Sequence, residues 1–237
     1  MDKFSRNKMK YNTLIYRIFN RLKLDFRDWS NPHLAPDRLK RIVQHGIPTD
    51  FSIISNNCWG GLVYQYYGLP YASPTVGLFF FADDYIKFIY NIKEYLYSRL
   101  IFISLEESKY SDTLKEYGGE CVKCPIARCN DIEIIFMHYH SPEEAEEKWR
   151  RRTARINWDN VIYKFSEMNG CTIEHLKAFD DFKVGNKVVF THKDYGLKSQ
   201  VIYTEFENYG YIPNDTDSFR KYINLDALIS GQYSIQR

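Results

Sequence analysis

The feature that most constrains this chain is a recurrence. Short, continuous apolar runs alternate with segments that carry apolar residues at helical spacing. The runs are FSII (51–54), TVGLFFF (75–81), LIFISL (100–105), DIEIIFM (131–137), VIYKF (161–165), KVVF (187–190) and QVIYTEF (200–206). Runs without polar alternation suit strands covered on both faces, and that is the environment of a parallel sheet between helices. Trp59 to Tyr67 can form a helix stopped by Gly68, with Pro70 just beyond. Over residues 83–97, Tyr85, Phe88, Ile89, Ile92 and Leu96 share one helical face. Ser141 reads as an N-cap with Pro142 in the first helical position and Glu144 closing a capping box, and Ala145, Trp149, Thr153 and Ile156 mark the inward side of that helix. Further helices are expected over 171–180 and 219–229, with a polar crossover at 106–117. The pattern predicts a three-layer, Rossmann-like α/β domain with a mostly parallel sheet.

At 237 residues, and with no Gly/Ser-rich linker or internal repeat, one domain over 37–237 is expected. Before it lies a basic, aromatic arm, residues 1–36. Residues 1–30 read as a helix that Pro32 and Pro36 break, and 37–46 as a short helix. The arm mixes Phe, Leu, Ile and Tyr with Lys and Arg, a composition that suits an amphipathic helix on an anionic membrane surface as well as an ordinary peripheral helix. Thirty-two basic and 30 acidic residues leave a formal charge of +2, which gives no general case for nucleic acid. No run has the length of a membrane span and no secretory core opens the chain, so a cytoplasmic protein with five reduced cysteines is expected, in contact with the inner membrane face if the arm binds lipid.

Chemistry concentrates at the ends of the apolar runs. In SNNCWGG, Asn56 and Asn57 lie in a strand-to-helix turn and Cys58 enters the first helical turn. Free amides there favour an anion or a thiolate, so Cys58 is a candidate nucleophile, a non-reacting site residue or a packed hydrophobe. Trp59 follows, and Gly60 and Gly61 imply close approach of backbone or ligand. His138 and His140 follow one strand and His192 another, where open α/β sheets display site residues. Asp83 and Asp84 follow GLFFF as helix caps or as ligands of a Mg or Mn ion escorting a diphosphate. Arg151 and Arg155 are four apart, and Arg152 lies nearer the opposite side; guanidinium forks suit phosphate. Cys121 and Cys124 have zinc-knuckle spacing, but no second Cys-x-x-Cys completes the set. Asn157 and Asp159 in RINWDN either orient a catalytic histidine or end a helix.

Taken together, SNNCWGG, YQYYGLPYASPTVGLFFFADDYIKF, HYHSPEEAEEKWRRRTARINWDN and KVVFT resemble the DUF1919 family of bacterial proteins associated with exopolysaccharide and capsule biosynthesis, over roughly residues 38–225. The resemblance implies a role in building a surface polysaccharide. A transferase using a nucleotide-sugar donor on a glycan or lipid-linked glycan acceptor fits that role. Asp84 or His138 would then activate the acceptor hydroxyl, Arg152 or Arg155 would contact phosphate, and Asn56, Asn57, Trp59, Gly60, Gly61, Tyr139, Asn157 and His192 would line the substrate. The alternatives are acyl transfer or hydrolysis through Cys58, with His138 as base and Asp159 or Asn157 as orienter, and a non-enzymatic glycan-binding scaffold. No motif demands a resident cofactor.

Overall fold

The computed structural model describes residues 31–233. Most of the arm lies outside them, including the membrane-surface helix expected there. Helix α1 occupies residues 31–44 and runs through Pro32 and Pro36, where the sequence suggested a break. Proline fixes a helix-compatible φ, and Pro36 forfeits only the amide that would have reached the Pro32 carbonyl.

A parallel sheet of four strands forms the centre: β1 (Ser52–Ser55), β5 (Val161–Ser166), β6 (Asn186–Thr191) and β7 (Gln200–Ile202), in that spatial order. Ser52 is level with Val161, Ile162 with Asn186 and Val189 with Gln200. Successive residues point to opposite faces, so Ile54, Tyr163, Phe165 and Val189 enter one core and Ile53, Ile162, Val188 and Phe190 the other. Helices α3 (Ala82–Tyr90), α4 (Ile92–Tyr97), α6 (Pro142–Thr153) and α7 (Ile173–Asp181) cover the first face; α1, α2 (Trp59–Tyr67), α8 (Phe219–Tyr222) and α9 (Leu225–Ile229) cover the second. The three-layer α/β expectation holds. No described helix is long and apolar enough to cross a membrane.

Three apolar runs depart from the parallel pattern. LIFISL supplies β2 (Ile101–Ile103) and DIEIIFM supplies β4 (Ile132–Ile135); with β3 (Ile126–Cys129) they form a separate antiparallel sheet. Asn130 at φ 53° turns β3 into β4 across two residues, a local chemistry that returns the chain instead of crossing it over. In TVGLFFF, residues 75–77 lie in a turn that ends at Gly77 with φ 82°, and the remainder meets β4 at the single bridge Phe79–Ile135. Helix α5 (Ser111–Tyr117) fills part of the polar crossover.

The expected 83–97 helix is two helices, divided at Asn91. Ser141 caps α6 by accepting the Glu144 amide at 3.2 Å. The carboxylate of Glu144 reaches back to the His140 amide, one residue beyond the standard box. The side chain of a residue at position 60 would sit 3.0 Å from Ile53 Cγ2, and at 61, 2.9 Å from Val76 Cγ1. The glycine pair therefore seats α2 directly on β1 and the 75–78 segment.

Candidate functional site

Strand β1 ends at Ser55, and the next two side chains continue its work. Asn56 Oδ1 accepts the Ser166 amide at 3.1 Å while Nδ2 donates to the Ser166 carbonyl at 3.2 Å, so this carboxamide extends the ladder by one step. Asn57 Oδ1 accepts the Trp59 amide at 3.2 Å, which starts α2, and accepts Lys164 Nζ at 2.8 Å. Its Nδ2 donates to Asp215 Oδ1 at 2.9 Å.

Lys164 lies inside β5 and is fully buried, with its ammonium 5.8 Å from the Trp59 ring and 5.1 Å from the Phe190 ring. Its ion partner is Asp215 Oδ2, which also accepts Ser166 Oγ. Burial draws the lysine pKa below its ordinary range, against the attraction of Asp215. The buried Trp59 Nε1 has no partner among the described residues, whereas the polar side-chain atoms of Asn56, Asn57, Lys164, Ser166 and Asp215 all have partners. That makes the buried charges tolerable, and it ties the start of α2, β5 and the 203–218 segment together.

One residue beyond Ser166, at the same carboxyl edge of the sheet, stands a second cluster. Glu167 Oε2 accepts both the backbone amide of His192 at 2.9 Å and its ring Nδ1 at 2.7 Å; Oε1 accepts Tyr195 Oη at 2.5 Å. Burial and Glu167 together raise the Tyr195 phenol, which remains a donor. His192 is 5% exposed. Among the described residues its Nε2 has no hydrogen-bond partner, and it is not sealed from solvent. A carboxylate on Nδ1 and an open Nε2 are what a general base requires. The loop carrying His192 and Tyr195 is pinned by Gln200. Its Nε2 donates to Thr191 Oγ1 and the Lys193 carbonyl at 2.7 and 2.6 Å, and its Oε1 accepts the amides of Tyr195 and Leu197 at 3.1 and 3.2 Å.

The other sequence candidates fall elsewhere. Cys58 Sγ donates to the Leu78 carbonyl at 3.6 Å, and burial, with the charge of Asp215, pushes the thiol up to about 12. That is a packed, protonated thiol and a poor nucleophile. Trp59 is buried edge-on against Phe190 and Phe219. Gly60 and Gly61 face protein atoms, so they make no ligand cradle.

His138 is exposed, its Nδ1 3.6 Å from Glu120 Oε2. Tyr139 donates to the Val76 carbonyl at 2.5 Å, and the buried Arg152 donates to the same carbonyl at 3.0 Å and to Tyr139 Oη at 2.6 Å. Arg152 is therefore an internal brace, not a phosphate ligand. Arg155 reaches the Tyr71 carbonyl at 3.4 Å. Asp84 is buried between Lys109 Nζ at 2.6 Å and the Glu133 amide at 2.9 Å, and burial raises its carboxyl. Asp83 pairs instead with His175 at 2.6 Å.

Asn157 binds Asp50 and Ser52 Oγ, and its Oδ1 accepts the Asp159 amide. Both residues therefore sit where β1 begins, at the opposite end of the sheet from Cys58. The Cys58–His138–Asp159 arrangement is not assembled, because Asp159 lies at the opposite end of the sheet and the His138 ring is exposed toward Glu120. All five cysteines are free, and among the described residues no three His, Cys, Asp or Glu side chains gather as a metal site.

Sequence reasoning named Asn56, Asn57 and His192 but missed Lys164, Glu167, Tyr195 and Asp215. One signal was available: a lysine in the otherwise apolar VIYKF, followed at the strand end by Ser-Glu.

With the geometry in hand, the comparison with known proteins is decisive on one point. Residues 37–229 match the model of a family described as a domain of unknown function, DUF1919. The chain belongs to the DUF1919 family. An uncharacterized protein of Haemophilus influenzae (strain ATCC 51907 / DSM 11121 / KW20 / Rd) is 35% identical over 157 residues, 66% of this chain and 69% of that protein. The DUF1919 match spans both clusters, from Asn56 through Asp215.

Proposed function

We propose that this DUF1919 chain is a transferase of surface-polysaccharide assembly. It moves a sugar from a nucleotide-sugar donor to a hydroxyl of a glycan or lipid-linked glycan acceptor, with His192 as general base. The observation that carries this reading is the 2.7 Å contact between Glu167 Oε2 and His192 Nδ1 at the carboxyl edge of a parallel sheet. The acceptor O–H proton passes to His192 Nε2 as the oxygen attacks the anomeric carbon, and the bond from that carbon to the diphosphate breaks. Glu167 keeps the Nδ1–H tautomer and offsets the imidazolium charge as it forms. Lys193, exposed beside His192 with its ammonium 5.2 Å from the Tyr195 ring, supplies positive charge for the departing diphosphate.

The test is nucleoside diphosphate release by the purified chain from a pool of nucleotide sugars with a bacterial lipid-linked glycan extract, with Mg or Mn present. His192→Ala lowers the rate by about 10²–10⁴. Glu167→Gln lowers it less, because a neutral carboxamide still orients the ring but no longer offsets the imidazolium charge as it forms. A merely structural role for Glu167 leaves the folded Glu167→Gln protein at the wild-type rate. A folded His192→Ala protein with the wild-type rate refutes the assignment.

A further inference from the structure

Among the described residues β7 is an edge strand, and a groove of about 1180 Å³ runs along its unpaired side. The Ser199 carbonyl and the Tyr203 amide bond to β6, so the alternate backbone groups of Gln200 and Ile202 face the groove. Asp194, Gly196 and Leu197, on the loop that carries His192, line it. Tyr66, Arg220, Lys221 and Tyr222 line it as well.

The cations here are not balanced. Arg41 is paired with Asp226, Nη2 to Oδ2 2.7 Å, and Asp226 also accepts Tyr67 Oη at 2.5 Å. Among the described residues Arg220 and Lys221 have no carboxylate partner, and both are exposed. Two guanidinium groups crowd the Tyr66 ring, Arg38 at 4.0 Å and Arg220 at 5.3 Å from its centroid. Burial, with Arg220 and Arg41 nearby, lowers the Arg38 pKa against the pull of Tyr66. An anion relieves that crowding. The volume exceeds the roughly 300–1,000 Å³ of small-molecule pockets, so the groove admits several sugar residues. Tyr222 stacks one face on Tyr203, 4.4 Å between centroids, and the β7 edge offers donors and acceptors for hydroxyls.

We propose that this groove binds an anionic glycan, a sugar chain bearing carboxylate or phosphate groups, and feeds it toward His192 as the acceptor. The acceptor role rests on the transferase reading above; the binding does not. Guanidinium forks take either acid group in two parallel hydrogen bonds.

The experiment is fluorescence anisotropy of the full chain with labelled galacturonate hexasaccharide, a phosphorylated mannan oligosaccharide and a neutral dextran hexasaccharide. Acidic probes bind and dextran does not, and which acidic probe binds tighter identifies the acid group. Arg220→Ala with Lys221→Ala weakens binding at least tenfold, whereas His192→Ala binds as wild type while losing turnover. Equal binding of dextran, equal binding of a polyglutamate peptide, or an unchanged affinity in the double variant overturns the proposal. Binding without turnover in the wild type sinks the transferase reading and leaves the groove assignment standing.

Discussion

The Lys164–Asp215 pair makes a quantitative prediction about stability. Both groups are fully buried, and the hydrogen bonds that compensate them come from Asn57 and Ser166. Removing one partner leaves the other charge without its counter-ion in an interior that includes Trp59 and Phe190, which costs about 3–5 kcal/mol. Asp215→Asn and Lys164→Met are each expected in that range. With a urea m-value of about 3 kcal/mol/M, appropriate to the upper end for a chain of this size, the midpoint falls by roughly 1–1.7 M at constant m. Lys164→Met with Asp215→Asn removes both charges and leaves a neutral carboxamide beside Asn57 and Ser166. It should cost less than the sum of the singles by about 2 kcal/mol.

The pH dependence gives a separate check. Because the folded-state pKa of Lys164 is lowered, the unfolded chain holds more protons at this site between that value and the ordinary lysine range. Wild-type stability relative to Lys164→Met therefore rises with pH across that window. Urea unfolding followed by circular dichroism reads all of these variants. Single substitutions costing under about 1 kcal/mol, or strict additivity in the double, would refute the view of a coupled buried unit.

Two further expectations separate packing from chemistry among the sequence candidates. With its thiol near 12, Cys58 is about one part in 10⁴ thiolate at pH 8, so iodoacetamide labels it in the native protein far more slowly than in urea, and Cys58→Ser keeps its turnover; rapid native labelling with loss of turnover reverses that assignment. Arg152→Lys replaces a planar fork by a point charge beside Val76 and Tyr139, and should cost about 1–3 kcal/mol in urea unfolding with the KM for the donor unchanged; a raised KM at wild-type stability restores Arg152 to the substrate.

The strands of the central sheet were legible because a run such as VIYKF or KVVF, without polar alternation, has few homes other than a covered parallel sheet. The antiparallel sheet was not, because its register depends on Asn130 adopting a left-handed conformation, which an Asn-Asp pair permits but does not announce. Among site residues, the rule that strand ends display chemistry found His192 and the Asn56–Asn57 turn. The same rule applied to β5 leads to Glu167. Asp215 had no such signal: it lies 51 residues from Lys164, in a segment of turns where acidic residues are ordinary. Arg152 misled for the opposite reason. A run of arginines on a polar helix reads as surface, yet position 152 faces inward between Tyr139 and Tyr71.

The two clusters at the carboxyl edge of the sheet are mechanically one. Asp215 anchors the 203–218 segment to Lys164 and Ser166, and in that segment the Ile212 amide donates to the Glu167 carbonyl at 2.8 Å. Glu167 in turn fixes His192 through both ring and backbone. A buried ion pair contributes little net stability compared with apolar packing, so its presence beneath a histidine calls for a reason beyond stability. Holding a segment of turns in one conformation supplies that reason, because a general base misplaced by about 1 Å loses roughly 10²-fold in rate. Asp215→Asn should therefore lower turnover at temperatures where the variant is fully folded, although Asp215 touches no substrate. Full turnover in folded Asp215→Asn would show that the Lys164–Asp215 cluster serves the fold alone.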